Sequence, residues 1–463
     1  MAVVLRCVTF VAIVAALISP SSRAAESTEA SVDLTPRVLE RDFAEVTVEL
    51  EVGGTVLVRD QEADAPQEKT LPMSVSAKLV YDEHRTAPTA GTVPTSAVRY
   101  YKEAGATLKI GNTGRTPKLA DDHRLVVAEN PKGRFSFAAA NGLLNREELD
   151  LIDVTGDSLA LDALLPQRTV TAHENWPADP NTMAAILSMD SVAASEVQST
   201  LDKFNRDFAL VRIAGAVVGT ADGSATEMEV RGVYLFDRKL CRVTRFNLAV
   251  KEKRSIGSAT PGLDGVAKLR VNLKPLESSP HLLPATLVSL RSKRDLKLDT
   301  LRLEPAKQGY RLQHDRRWFV TLEGRESTVL RLVDRGDLLA QCTITSLPPK
   351  SAGRQTTLEE FERDIRFALK DNFGELVSSR QWTNSHGHHC LEVVVRGTTE
   401  EVPLEWHYYL VAPESGNRVS LAVTIQGEMV SRLAFADRHL VNAVELLGVK
   451  SATETAIRFA PMR

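Results

Sequence analysis

Hydrophobic and polar residues alternate one for one along much of this chain. Val46, Val48, Leu50 and Val52 are interleaved with Glu45, Thr47, Glu49 and Glu51. A period of two describes a half-buried strand. Gly53-Gly54 predicts a turn or bulge before a further strand at 55–58. Met73, Val75, Ala77, Leu79 and Tyr81 repeat the alternation, and strands are expected at 98–102, 107–110 and 124–128. One dry and one wet face per strand is the pattern of antiparallel sheet. The clearest case runs from 207 to 251. There Ala209, Val211 and Ile213 share one face, Asp222-Gly223 marks a hairpin, and Met228, Val230, Tyr234 and Phe236 oppose Glu227, Glu229 and Arg231. Phe246, Leu248 and Val250 complete a three-stranded meander.

Helical spacing interrupts this rhythm. Asn145 caps a predicted helix to 154, with Glu147 and Glu148 in the first turn, where the helix dipole favours them. A second helix is expected over 181–189. Beyond 309, strands at 319–322, 329–333 and 338–345 flank the hairpin signal Asp334-Arg335-Gly336-Asp337. Thr357 and Glu360 form a capping box ahead of the stripe Leu358, Phe361, Ile365 and Leu369. Four more strands (376–382, 390–395, 404–411, 419–425) and a final amphipathic helix over 428–447 follow. The expected fold class is therefore α+β: an N-terminal curved antiparallel sheet with helices, then a C-terminal antiparallel sheet covered by helices.

The first residues change the picture of where the chain resides. Arg6 precedes an apolar run from Cys7 to Ile18, broken only by Thr9, and Ser22-Arg23-Ala24 offers small residues where a signal peptidase cuts. The run is shorter than the roughly 20 apolar residues a spanning helix needs. This reads as an export signal over 1–24, and the expected location is periplasmic or secreted. The remaining expected layout is a flexible lead-in (25–42), a first domain (43–276), a proline-containing basic linker (277–308), a second domain (309–448) and a tail (449–463). No transmembrane segment is expected in the mature chain. A net charge of -3 with interspersed signs makes nucleic acid a poor partner. Of four cysteines, Cys241, Cys342 and Cys390 survive cleavage. Cys342 and Cys390 fall in expected strands of one region, which leaves a cross-strand disulfide open.

Candidate chemistry is sparse. His386, His388 and Cys390 are metal-ligand types that alternate onto one side of an extended chain, yet Gly387 suits a turn there. Glu405, His407 and Tyr409 share one strand face and combine an acid, an imidazole and a phenol, as general acid/base work requires. Cross-strand pairing accounts for the same residues. Arg316, Arg317 and Trp318 are of the types enriched where partners bind. The face of Met73, Val75, Leu79 and Tyr81, together with Trp176, would line an apolar site if the first sheet were hollow. No Gly-x-Ser-x-Gly, Walker or dinucleotide-binding pattern is present, no cofactor is expected, and no catalytic residue stands out.

His314–Trp318 entering a strand, the hairpin at Gly336, the helix over 357–373, the strands over 389–409 and the terminal helix together resemble the PsbP-like family. That resemblance implies an α/β/α sandwich over 309–448 that binds partner proteins or assists assembly in exported compartments. Residues 43–81, 145–189 and 207–251 resemble the lipoprotein-carrier (LolA/LolB-like) fold, a curved sheet wrapped round helices. The whole resembles multi-domain exported bacterial proteins. The expected function is a non-catalytic exported protein that binds a partner in the cell envelope. The alternatives are a carrier of lipid or another apolar ligand and a metal-dependent hydrolase.

Overall fold

A computed structural model describes residues 31–38, 42–60, 67–86, 93–130, 133–292, 297–351, 354–414 and 416–447. The expected signal segment and the tail lie outside these residues, as do Lys293 and Arg294 of the basic connection.

The alternating segments form strands, and they are longer than their sequence signals. Phe43–Asp60, Gln67–Thr86 and Ser96–Ile110 each run as one strand. Gly53-Gly54 makes no turn. The ladder passes through it in register, and Gly54 lets Gly262–Leu276 come close, since a Cβ there would lie 2.3 Å from the Asp264 carbonyl oxygen. A large antiparallel sheet results. Its main order is Ser136–Ala139, Leu125–Glu129, Ser96–Ile110, Gln67–Thr86, Phe43–Asp60, Gly262–Leu276, Arg242–Arg254, Ser224–Asp237, Phe208–Ala221, Gln198–Phe204 and Asn175–Pro177. Phe43–Asp60 and Gly262–Leu276 join the two ends of the segment in the middle of this sheet.

One face of the sheet is packed by residues 144–189. Helix Arg146–Ile152 begins with the capping box of Asn145 and Glu148, and helix Pro180–Leu187 is capped by Asp179. Leu149, Ile152, Leu161, Met183 and Ile186 join Val46, Val48, Leu79, Val211, Phe246 and Val271 in one core. The segment expected as a linker carries helix Pro284–Ser292 and strand Thr300–Leu303. Leu282, Leu287 and Leu290 pack there on Val98 and Val127. The amphipathic spacing of its leucines outweighs its basic residues.

A second antiparallel sheet has the order Trp318–Glu323, Ser327–Asp334, Asp337–Lys350, Gly416–Gln426, Val402–Ala412, His389–Thr399, Phe373–Thr383. Helix Leu358–Leu369 packs on one face against Val393, Val395 and Trp406. Cys342 and Cys390 lie on strands with two others between them, about 14 Å apart at the usual strand spacing, and both are free thiols.

The α+β expectation is corrected. The described residues are mostly strand, and the longest described helix, Leu358–Leu369, has 12 residues. Helices do not cover the sheets as expected, because most of the helical signals yield only one or two turns. The final helix breaks into Val430–Leu433 and Ala436–Asn442 around Ala434 and Phe435, both in the left-handed region at φ 47° and 63°. A short strand, Glu445–Leu446, replaces its end.

Candidate functional site

The acid, imidazole and phenol of strand Val402–Ala412 do meet. Alternation sends Glu405, His407 and Tyr409 to one face, and the register places Glu392 of His389–Thr399 opposite Tyr409. Helix Ala436–Asn442 brings Asp437 above them. His407 Nδ1 lies 2.5 Å from Asp437 Oδ2, and its Nε2 lies 2.8 Å from Glu405 Oε1. The Tyr409 hydroxyl donates to Asp437 at 2.5 Å and stands 3.0 Å from Glu392 Oε1. Arg438 donates to Glu392 at 2.9 Å, Arg380 pairs with the same carboxylate, and Arg396 donates to Glu405 at 2.7 Å. Burial works against a charged His407, but Asp437 and Glu405 outweigh it and raise its pKa above the ordinary histidine value. Burial would raise Glu405, yet His407 and Arg396 hold it below the usual carboxylate range. Burial, then Asp437 and Glu392, push the Tyr409 phenol well up.

Chemically this is a closed relay. Both imidazole nitrogens face carboxylates, and the phenol bridges the same Asp437 oxygen to Glu392, so none of these groups presents a spare proton position to a substrate. The cluster fastens the short helix to the sheet. Sequence alternation found Glu405, His407 and Tyr409 but missed Glu392, Asp437 and Arg438, whose contacts depend on sheet register and on the broken terminal helix.

His386, His388 and Cys390 are not gathered as a ligand set. Asn384 Oδ1 accepts from the backbone N–H groups of His386 and His388, at 3.0 Å each, and so shapes the turn. The two imidazoles are stacked 6.4 Å apart. His388 Nε2 accepts from the Leu446 N–H at 3.1 Å, and Cys390 is buried in the core of the second sheet. Among the described residues no group of three His, Cys, Asp or Glu could hold a metal ion.

Leu79, Tyr81 and Trp176 belong to the packed core of the large sheet, and the Trp176 indole donates to the Leu164 carbonyl at 2.9 Å. Met73 and Val75 lie farther along the same face and are half-buried. The Tyr81 hydroxyl reaches Ser158 at 2.9 Å, at the margin of a buried charge cluster. Arg99 grips Asp157 with two hydrogen bonds, at 2.7 and 2.6 Å, and donates to Glu83 at 3.1 Å. Arg85 joins Asp42 at 2.8 Å and Asp162 at 2.5 Å, and Arg242 reaches Asp42 at 2.8 Å. Burial would raise Glu83, but Arg99, Arg242 and Arg85 hold it below the usual range.

Arg316, Arg317 and Trp318 stand at the seam between the sheets. Trp318 is buried in the second core. Arg316 reaches across to Asp153 at 2.6 Å and to the Phe135 carbonyl at 2.8 Å, and pairs with Asp299 at 3.2 Å. Arg146 returns the contact: it bonds the Arg316 carbonyl and lies over the Phe319 ring at 4.5 Å. The hairpin turn at Gly223 abuts the hairpin of the second sheet, because a Cβ on Gly223 (φ 73°) would lie 2.4 Å from Val333. These contacts enclose a cavity of about 390 Å³ with Arg134, Arg317 and Arg335 on its walls.

No family model matches the chain, and no curated protein matches it. Among solved structures, one from Bacteroides thetaiotaomicron is similar over 32% of this chain at 12% identity and a TM-score of 0.24. This chain spans about half, 48%, of that protein. The cyanobacterial PsbP (CyanoP) from Synechocystis is similar over 32% of this chain and 92% of its own, at 12% identity and a TM-score of 0.26. The Pseudomonas aeruginosa OpdQ aligns over 83% of this chain and 96% of its own, at 10% identity and a TM-score of 0.11. Similarity this distant carries no argument about fold or function, and the function is read from the residues.

Proposed function

We propose that this chain is a non-catalytic exported protein that docks an extended segment of a partner protein on the free edge of its second sheet. The observation that carries the reading is strand Phe373–Thr383. It pairs only with His389–Thr399, so one side of its backbone is open among the described residues. Leu376 and Val377 are 39% and 40% exposed on it, and Phe367, on the helix beside it, is 78% exposed. An open strand offers backbone hydrogen bonds to an incoming strand, and apolar side chains beside it supply selectivity. The closed relay around His407 supports a non-catalytic role.

The test is a photo-crosslinking residue at Val377, with one at Lys268 on the outer face of the large sheet as control, in the full chain made in its native host. A discrete protein adduct at Val377 alone, lost on Leu376→Glu, is expected. No adduct above the control would overturn the reading. Fractionation of the same cells tests export.

A second reading, carriage of an apolar ligand, is favoured by one observation. The dry face of the large sheet continues beyond its packed core as Val52, Leu71, Met73, Val75, Leu108 and Ile110, all half-buried. Native mass of the purified chain above its denatured mass, with lipid in the organic extract, is the expected result for a carrier.

A further inference from the structure

We infer that the segment docked on the open edge of strand Phe373–Thr383 is the same strand of a second copy, so that two chains form a twofold dimer through one continuous sheet. The inference rests on the docking reading above and names its occupant. In such a pair both copies use the same patch, so the patch must complement itself.

The strand carries one acid and one base, Glu375 and Arg380, five residues apart. In an unbroken strand that odd spacing sends them to opposite faces. Here the ladder with His389–Thr399 slips between Leu376 and Ser378, and Val377 is the extra residue of a bulge. Glu375 therefore stands opposite Arg396, and Arg380 opposite Glu392, on the face that carries Glu405, His407 and Tyr409. A bulge commonly guards an edge against pairing. This one also sets the two charges on one face, symmetrically about the peptide between Val377 and Ser378.

A twofold axis at that peptide turns the second strand antiparallel. Glu375 then meets Arg380 of the second copy, Arg380 meets its Glu375, and on the other face Leu376 meets its Ser379. The order of charges fits this occupant. Arg396 lies 2.7 Å from Glu405 and 3.4 Å from Glu375, and Arg380 pairs with Glu392. Across the join the row reads Glu405, Arg396, Glu375, then Arg380 and Glu392 of the second copy, with acid and base alternating throughout. Both groups at the join have surface left for the contact: the Glu375 side chain is 67% exposed and that of Arg380 45%. Opposite charges directly across a strand pair stabilise the pairing.

Helix Leu358–Leu369 repeats the match. Arg366 lies 4.6 Å over the ring of Phe373, so its side of the helix looks towards the edge strand. Helical spacing puts Glu359, Glu362 and Arg363 on that side, with acids towards the start and bases towards the end. The same axis sets the start of one helix against the end of the other, so acids face bases there too.

The test is sedimentation velocity of the full chain, purified from its native host, over a wide range of concentration, together with the mass of the adduct formed by the photo-crosslinker at Val377. A monomer–dimer equilibrium and a crosslinked product of two identical chains are expected. Glu375→Lys sets like charges across the join twice per dimer and should weaken association about tenfold, as should Val377→Lys at the axis. Both positions are exposed, and circular dichroism confirms that the variants fold. Glu196→Lys, exposed in the first half of the chain, should leave the dimer unchanged. Monomer at every concentration, or a dimer indifferent to both edge substitutions, overturns the second copy as occupant. An adduct at Val377 with a different protein also overturns it and leaves the docking edge standing, whereas no adduct above the Lys268 control overturns both.

Discussion

Replacing Arg99 by methionine keeps much of the side-chain stem and removes its charge. Arg99 is 1% exposed and serves two acids: Asp157 through a bidentate pair and Glu83 through Nε. Three guanidiniums (Arg85, Arg99, Arg242) face four carboxylates (Asp42, Glu83, Asp157, Asp162), so the substitution moves the formal balance from one negative charge to two. Removing one partner of a buried pair typically costs about 3–5 kcal/mol, because the remaining charge has no water to return to. Glu83 softens the loss, since it keeps Ser158 at 2.6 Å and Arg242 at 3.7 Å. We expect about 3–5 kcal/mol at pH 7, a large part of the roughly 5–15 kcal/mol that holds a domain together. Urea unfolding followed by far-ultraviolet circular dichroism measures it. Arg99→Met with Asp157→Asn should cost less than the sum of the single variants, since each single change leaves the other charge stranded. The pH dependence has a defined sign. Glu83 has a depressed pKa in the fold, so its contribution is present above the ordinary glutamate value and is lost as pH falls through the folded one. In Arg99→Met that carboxyl loses its strongest cation, its pKa climbs, and the gap to the native protein narrows towards pH 4. A cost below about 1 kcal/mol, or strict additivity in the double variant, would refute the view that these charges act as one buried unit.

Three further outcomes follow from the same physics. His407 has a raised pKa, so its ionic contribution is full below about pH 6.5 and fades as pH rises through the folded value; His407→Gln should cost about 2–3 kcal/mol at pH 6 and flatten the fall of Tm between pH 6 and 9, as thermal melts across that range would show. A thiol reagent should leave Cys342 and Cys390 unmodified in the native chain and reach both only in denaturant, because burial raises both thiols, Cys390 to about 12; prompt native reaction of either would place it at the surface. Gly223→Ala should cost about 1–3 kcal/mol in urea unfolding, through its positive φ and the clash with Val333, and Val333→Ala should recover part of that loss.

Much of the strand layout was legible because alternation is local. The 207–251 meander, the hairpins at Asp222-Gly223 and Asp334–Asp337, the helix cap at Asn145 and the capping box at Thr357 stand where their residues indicate. Fold class was misread because helix signals say nothing about how many turns survive. The 428–447 stripe is periodic, yet Ala434 and Phe435 take left-handed conformations and end it early. The charge cluster was half-visible. The buried face of Met73, Val75, Ala77, Leu79 and Tyr81 continues to Glu83 and Arg85, which places two charges where alternation demands burial. Their partners Asp157 and Asp162 come from the irregular segment across the core, and only the folded chain shows them. The seam at Arg316 was likewise hidden, since its Asp153 partner is 163 residues away. The partner that Arg316 engages is the first half of its own chain.

The pairing of Phe43–Asp60 with Gly262–Leu276 also orders events in time. A chain that emerges from its N-terminus makes the first three long strands early, but one long edge of Phe43–Asp60 waits while roughly 200 further residues arrive, and closing so large a loop is slow. Until then an 18-residue strand presents unpaired backbone groups, the condition under which strands pair with the wrong neighbour. The glutamates on its outer face, Glu45, Glu49 and Glu51, keep that waiting ribbon charged. Helpers that shield nascent strands should therefore engage this protein at its N-terminal ribbon, and truncations ending before residue 276 should aggregate rather than fold.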